Sequence, residues 1–318
     1  AFQQPGPSEK NTRSAFRVSA LAVLEASLTM AIWGSSFVVA KVGLRELGPL
    51  TLAGLRYFVA FLMLLPFLPR RLTAHGRPSR SLMLQLALLG LSAYLVGNGS
   101  FFLALKVVPS TTVSFMMGLI PILVLVGSLF WLKENPTWWQ AFGMVISLAG
   151  TGLFFLPGMQ VEAWSGIPIL GVGLIGFGFF GLLSRSIARE RKVDSLTLTA
   201  IPLAVGGGAL LAVALPLEGL PRLTPSGIGI VLLLALVNTA IGYLLYNHAL
   251  QSLTALQMNL VLNLSPFVTA LLAAVILGER LTPVQLAGMI VATAGVALAQ
   301  RGQFPAVPPA SFPPADGS

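Results

Sequence analysis

The sequence predicts an all-α integral membrane protein: ten transmembrane helices arranged as two inverted five-helix repeats around a central cavity. Three observations predict it. Only 9% of the 318 residues are charged while 55% are hydrophobic, and the mean hydropathy is +0.86; a soluble domain carries about a quarter of its residues charged. Charge-free runs recur at 81–105, 107–132, 135–161, 163–184 and 195–217, each long enough for the roughly 20 residues a bilayer core demands. The chain also matches itself at one constant offset, the signature of an internal duplication.

The elements follow from apolar runs bounded by charges and turn signals. Residues 1–17, with the Pro- and Ser-bearing stretch "AFQQPGPSEKNTRS", form an expected disordered tail. The first span, 18–40, is too long for the apolar part of a signal peptide and is read as retained. Further spans fall at 50–69, 82–105, 110–132 and 137–156, which close the first repeat. The second repeat, 164–300, holds spans at 164–185, 196–215, 226–248, 255–277 and 283–300. Residues 223–278 contain no Asp, Glu, Lys or Arg and are too long for one span, so the chain must turn near Ser252, Leu253 and Thr254. A Pro-rich tail, 301–318, is expected to be disordered.

Orientation follows from the loop charges. With the N-terminus in the cytoplasm, the cytoplasmic segments hold Lys10, Arg13, Arg17, Arg70, Arg71, Arg77, Arg80, Lys133, Arg185, Arg189, Arg191, Lys192 and Arg301. The opposite side holds only Lys41, Arg45, Lys106, Arg222 and Arg280. Both termini are therefore expected in the cytoplasm. The net charge of +9 does not point to nucleic acid, because the basic residues sit between apolar spans rather than along an amphipathic stripe. The absence of cysteine removes disulfides and thiolate chemistry.

The duplication has an offset of 266 − 121 = 145. It aligns Pro121 with Pro266, Gly97 with Gly242, Glu134 with Glu279, Thr137 with Thr282, Gln140 with Gln285, Gly143-Met144 with Gly288-Met289, and Ala149-Gly150 with Ala294-Gly295. Shared Leu and Ala arise easily in apolar sequence; shared punctuating residues in register do not. Five spans per copy is an odd number, so the second copy threads the membrane in the opposite sense, an arrangement that places a substrate site at the interface of two repeats.

The stretches "WGSSFVVAK", "LGPLTLAGLRYFVA", "ALKVVPSTTVSFMMGLIPIL" and "ILGERLTPVQLAGMIVATAGVAL" resemble the EamA-type transporters of the drug/metabolite transporter superfamily. The likeness runs from about residue 21 to 300 and occurs in both halves. It implies ten helices in two inverted repeats, with spans 1–4 and 6–9 around a cavity and spans 5 and 10 set apart. It also implies small-metabolite transport, the YddG-type exporters of aromatic amino acids being one branch.

The residues support a cavity at the same place. Pro121 and Pro266 each remove a backbone hydrogen bond within a span and are the expected hinges. Ser114, Gly118 and Pro121 share one helical face, as do Asn259, Asn263 and Pro266; these polar groups either line the cavity or join helices. Tyr94, Asn98 and Phe101 share a face of span three, and Tyr243, Tyr246 and Asn247 one of span eight. Aromatic walls with a few amides suit a solute with an apolar body and a polar end, although an aromatic near a helix end, such as Tyr246, also anchors at membrane interfaces. In span one, Trp33 adjoins Gly34, Ser35 and Ser36, which form a packing notch or a cavity wall. Lys41 either snorkels to the interface or stands at the cavity mouth. Arg56, inside span two, is costly in lipid and reads as a functional group or a structural clamp.

Other signals carry less. "GVGLIG" at 171–176 sits in a charge-free span with no preceding strand, so it suits helix packing rather than a nucleotide. Gly143 and Gly150, with Gly288 and Gly295, read likewise as packing faces. His248 reads as a helix-end residue. No cofactor, metal site or nucleophile–base pair is expected, and enzymatic chemistry has little to work with. Glu25 alone among the carboxylates lies within a span, about a turn inside its start. The resulting expectation is an alternating-access exporter of small neutral metabolites, best matched by aromatic or hydrophobic amino acids, without strict ion coupling. Its expected partners are one small-molecule substrate and the bilayer. A nucleoside or other uncharged solute, a proton-coupled exporter and a non-transporting scaffold are the alternatives.

Overall fold

The computed structural model of the chain describes residues 7–68, 79–131, 137–157, 161–189, 195–249, 253, 258 and 261–301. Among these it is all-helical. Eight helices are long and apolar enough to cross a membrane, and two shorter apolar helices, Ser265–Ile276 and Pro283–Ala299, follow them. In chain order they are α1 (Pro7–Gly43), α2 (Pro49–Leu64), α3 (Arg80–Leu105), α4 (Ser110–Met117 continued by Ile120–Trp131), α5 (Trp138–Phe155), α6 (Gly166–Arg189) and α7 (Ser195–Glu218). Then come α8 (Pro225–Ala235, Leu236–Ile241 and Gly242–Ala249 end to end), α9 (Ser265–Ile276) and α10 (Pro283–Arg301). Helix α1 takes in residues 7–17, which the sequence reading assigned to the tail. The turn expected at 252–254 and the tail beyond 301 lie outside the described residues, apart from a bend at Leu253.

The duplication is visible in local structure. Thr137 caps α5 by accepting from the Gln140 N–H at 3.4 Å, while the Gln140 amide oxygen accepts from the Thr137 N–H at 2.7 Å. Thr282 and Gln285, one repeat later, make the same reciprocal pair at 3.2 and 3.0 Å; this capping box satisfies amides a helix start would leave unpaired. A π-helical segment opens at Leu91 in α3 and another at Leu236 in α8, again 145 residues apart. Helix α4 breaks after Met117, and α9 starts anew at Ser265 after a turn at 263–264. The prolines expected as hinges therefore sit in the first turn of the second helical piece, where a missing N–H costs nothing. The interruption itself lies two to three residues before each proline.

Helices α5 and α10 form one packed pair. A Cβ on Gly143 would lie 2.6 Å from the Gly295 carbonyl, one on Gly150 2.8 Å from that of Gly288, and one on Gly288 2.5 Å from the Phe154 nitrogen. Only glycine permits such backbone approach, the small-residue packing common in membranes. The glycines of 171–176 divide: Gly173 and Gly176 press on α3, against Phe101 and Ser92, while Gly171 meets open space.

On the face where α1 ends, three carboxylates tie one repeat to the other. Glu218, at the end of α7, accepts the Leu50 and Thr51 N–H groups that open α2, both at 2.9 Å. Glu279, before α10, accepts those of Ser110 and Thr111 that open α4, at 2.8 and 3.1 Å. Glu46, after α1, binds the Thr224 hydroxyl at the start of α8. Hydrogen bonds from Ser226 and then Thr224 hold the exposed Glu46 carboxyl below the ordinary carboxylate range. That tie is therefore complete above the ordinary carboxylate pKa and is lost as pH falls through the depressed value. Each carboxylate also complements the positive end of a helix dipole.

Candidate functional site

Between the repeats lies a cavity of about 260 Å³, near the lower end of the roughly 300–1,000 Å³ of small-molecule sites, so it takes one small metabolite. Its wall comes from α1, α2, α3, α4, α6, α8 and α9; α5 and α10 contribute nothing to it. Helix α1 presents Trp33, Ser36, Phe37 and Ala40, spaced to share one face. The indole of Trp33 meets Tyr243 edge-on at 5.5 Å between ring centroids. It can lie there because α8 has Gly242 beside it, where a Cβ would stand 2.6 Å from the indole nitrogen.

A polar seam crosses the cavity from α1 through α2 to α8. Arg56 is only 8% exposed. Its Nε donates to Thr239 Oγ1 at 3.1 Å, one terminal nitrogen to Ser36 Oγ at 2.7 Å, and the other reaches the Asn238 carbonyl at 3.5 Å. Asn238 donates from its side chain to the Ile32 carbonyl and to Ser35 Oγ. On the far side, the Tyr57 hydroxyl donates to Asn98 Oδ1 at 2.6 Å, and Asn98 Nδ2 donates to the Ala93 carbonyl at 2.9 Å. The Tyr57 and Tyr94 rings lie 4.6 Å apart. Phe101 stacks on Phe177 of α6 at 5.2 Å, closing an aromatic wall.

The π segments position this seam. Their wider turn frees backbone carbonyls: the Asn98 side chain takes that of Ala93 and the Thr239 hydroxyl that of Leu234, each five residues back. Such segments are rare and concentrate at functional sites. Here both open onto the cavity, through Asn98 and Asn238.

Next to Ala40 of the wall, at the end of α1, stands a charged cluster, here called the roof. Lys41 Nζ donates to the Val108 carbonyl at 2.7 Å and lies 3.5 Å from Glu279, the residue that caps α4. At the middle of α1, the Glu25 carboxylate sits 2.8 Å from His248 Nδ1. Glu25 is 13% exposed there, and neither residue touches the cavity. Among the described residues, no group of three or more His, Asp or Glu could hold a metal ion.

Of the residues singled out in the sequence, Trp33, Ser36, Arg56, Tyr94, Asn98, Phe101 and Tyr243 line this cavity. Four others do not. Ser114 is buried in a polar knot with Thr269, 2.9 Å away, whose hydroxyl also lies 2.8 Å from the Gly34 carbonyl. Gly118 and Asn263 face a separate gap of about 10 Å³ toward α10, with Pro266 beside them. The break in each helix turns these positions off the face that a continuous helix would give them. Tyr246 lies tilted against Trp33, with ring centroids 5.4 Å apart, and packs on the cluster around Ala22, Ala26 and Ala249. Pro121 does not line the cavity either, although its neighbour Ile120 does. Asn259 and the side chain of Asn247 lie outside the described residues. The step at 33–36 serves both roles at once: Gly34 meets the α9 backbone, where a Cβ would sit 2.8 Å from the Ser265 carbonyl, while Ser36 faces the cavity.

Sequence reasoning missed Tyr57, Asn238, Phe177 and Phe180. Asn238 had a signal, an amide inside a charge-free span. The phenylalanines had none that separates them from core.

The comparisons with known proteins bear on what such a cavity serves. The EamA-like transporter family matches the chain twice, over residues 20–156 and 161–300. The chain belongs to the EamA-like transporter family. An uncharacterized transporter of Archaeoglobus fulgidus is 30% identical over 285 residues, 87% of this chain and 96% of that one. The uncharacterized inner membrane transporter YedA of Escherichia coli K12 is 29% identical, over 87% of this chain and 90% of its own length. A solved crystal structure, 19% identical, superposes with a TM-score of 0.61 over 87% of this chain and 96% of the other, a likeness of fold. This is a multi-pass membrane transporter with two EamA-like repeats, and the cavity lies where those repeats meet.

Proposed function

We propose that the chain exports small neutral metabolites by alternating access, with aromatic or hydrophobic amino acids the best-matched class. In this reading it sits in a bacterial inner membrane with both termini in the cytoplasm and is not an enzyme. One observation carries it: an aromatic and amide-lined cavity stands between inverted repeats, flanked by helix interruptions at equivalent positions of both. Paired interruptions are the structural mark of a carrier's binding region. They also give the backbone two places to bend while the glycine-packed α5/α10 pair holds its shape. The face where α1 ends becomes the outer one, and the Lys41–Glu279 roof is a contact the outward opening must release.

The described carboxylates support transport without strict ion coupling. Glu46, Glu218 and Glu279 are engaged at helix starts, and none lines the cavity. The Glu25–His248 pair favours a second reading, proton-coupled export, since a partly buried carboxylate hydrogen-bonded to an imidazole is the kind of pair that relays protons.

Counterflow in proteoliposomes tests both readings. Liposomes loaded with unlabelled phenylalanine are expected to accumulate labelled phenylalanine transiently with no imposed gradient. Flux that appears only under a proton gradient, and that Glu25→Gln abolishes, would move the assignment to the coupled reading. No counterflow of any amino acid or nucleoside would sink the carrier itself.

A further inference from the structure

Among the described residues lining the cavity, Arg56 is the only Arg, Lys, His, Asp or Glu. Its partners are neutral: two hydroxyls and, at the limit of hydrogen-bond distance, one carbonyl. A guanidinium has five N–H donors, so these contacts leave donors over. Among the described residues no carboxylate lies within ion-pair distance of it. Glu25 is taken by His248, Glu218 by the start of α2, Glu279 by α4 and Lys41, and Glu46 by Thr224. A buried charge without a counter-charge is costly. It persists where something else completes it.

The chemistry of the missing partner follows from the lining. The guanidinium is a planar fork that matches a carboxylate with two parallel hydrogen bonds. Trp33, Tyr94, Phe101 and Tyr243 offer an apolar, aromatic bed for the rest of the solute. Among the described residues, the lining has no acidic side chain for an ammonium group. An ammonium would find only amide, hydroxyl and ring faces, in a small space that already holds a positive charge.

We infer that the site selects its solute by a carboxylate seated on Arg56, and that the substrate class is small monocarboxylates with an aromatic or apolar body. Amino acids enter as members of that class through their carboxylate, and the amino group adds no affinity. Arg56 is then the specificity-determining residue. The inference rests on the cavity being the substrate site, and it shifts the class from neutral solutes to carboxylate-bearing ones, with zwitterionic amino acids belonging to both.

Four ligands with one phenyl body test it: 3-phenylpropionate, L-phenylalanine, L-phenylalaninamide and phenethylamine. Binding to the purified full-length chain is read by tryptophan fluorescence, Trp33 lying in the wall, and by the rise in melting temperature that a ligand of the native state produces. We expect 3-phenylpropionate to bind at least as tightly as phenylalanine, and the amide and the amine at least about tenfold more weakly than the acid. Arg56→Gln should flatten that ladder, and Arg56→Lys should keep part of it, since charge survives without the fork. The idea is overturned if the amine or amide binds as well as the acid, if no acid binds, or if a folded Arg56→Gln retains full acid binding. Should Arg56→Gln fail to fold, the ladder on the unaltered chain decides alone. Acid binding without counterflow would remove the carrier reading and leave this one; phenylalanine counterflow blocked equally by phenethylamine would do the reverse.

Discussion

The α5/α10 pair and the α3/α8 pair are each made from matching stretches of the two repeats, and they use the duplication in opposite ways. In α5 and α10, glycines at equivalent positions bring backbone onto backbone and leave no space between the helices. In α3 and α8, equivalent π turns interrupt the regular ladder and open polar groups onto a cavity. The difference teaches where this protein is rigid and where it is adaptable. A continuous helix with small residues makes a seam; an interrupted helix with aromatics and amides makes a site.

The comparison can be broken first at the seam. Gly295→Leu drives a side chain into the Ser147 backbone and is expected to cost about 3 kcal/mol or more, the upper range for overpacking. Thermal unfolding in detergent checks it, and near-normal melting would show that the seam is looser than its geometry. Next comes the roof. Glu279→Gln removes a charge that four donors of α4 and Lys41 share; we expect a loss of about 1–2 kcal/mol, with flux altered more than substrate affinity. At the site, Asn98→Ala strands the Tyr57 hydroxyl. It should lower flux about tenfold while costing about 1 kcal/mol of stability, read by counterflow and melting on the same preparation.

Asn263→Ala sharpens the contrast between site and gap. Its side-chain nitrogen is buried with no hydrogen-bond partner, so its removal should leave substrate affinity within twofold and stability unchanged or slightly raised. An affinity loss as large as that of Asn98→Ala would put the gap back into the binding region. The smallest effect belongs to Gly152→Ala on the lipid side of α5, where a Cβ meets nothing within 4 Å. A change within about 0.5 kcal/mol, or a gain up to 1 kcal/mol from the helix propensity of alanine, is expected.

Much of the fold was legible because its signals are chemical rather than conformational. The capping residues at 137/140 and 282/285, the glycines of α5 and α10 and the paired prolines each need a particular residue type, so they survive in register and can be read from letters alone. The site was legible where the chain stays helical, even through a π turn: Trp33, Ser36, Tyr94 and Asn98 all line the cavity. It failed around the outright breaks of α4 and before α9. A break at 118–119 or 263–264 resets the face of everything near it, so Ser114, Gly118 and Asn263 were grouped with a cavity they do not line. Tyr57 was overlooked for another reason: beside a buried arginine, a tyrosine in an apolar span looks like core until its hydroxyl is seen on Asn98.

The carboxylate ties at the α1-terminal face have a consequence for how such a chain can diversify. Each tie keeps its acid in one copy and the helix start it serves in the other, so a chimaera that joins residues 1–156 to the second half of a distant relative keeps Glu46 without Thr224 and the starts of α2 and α4 without Glu218 and Glu279. Apolar wall residues such as Phe101 and Phe177 take no part in these ties. The halves themselves can be traded only as a matched set.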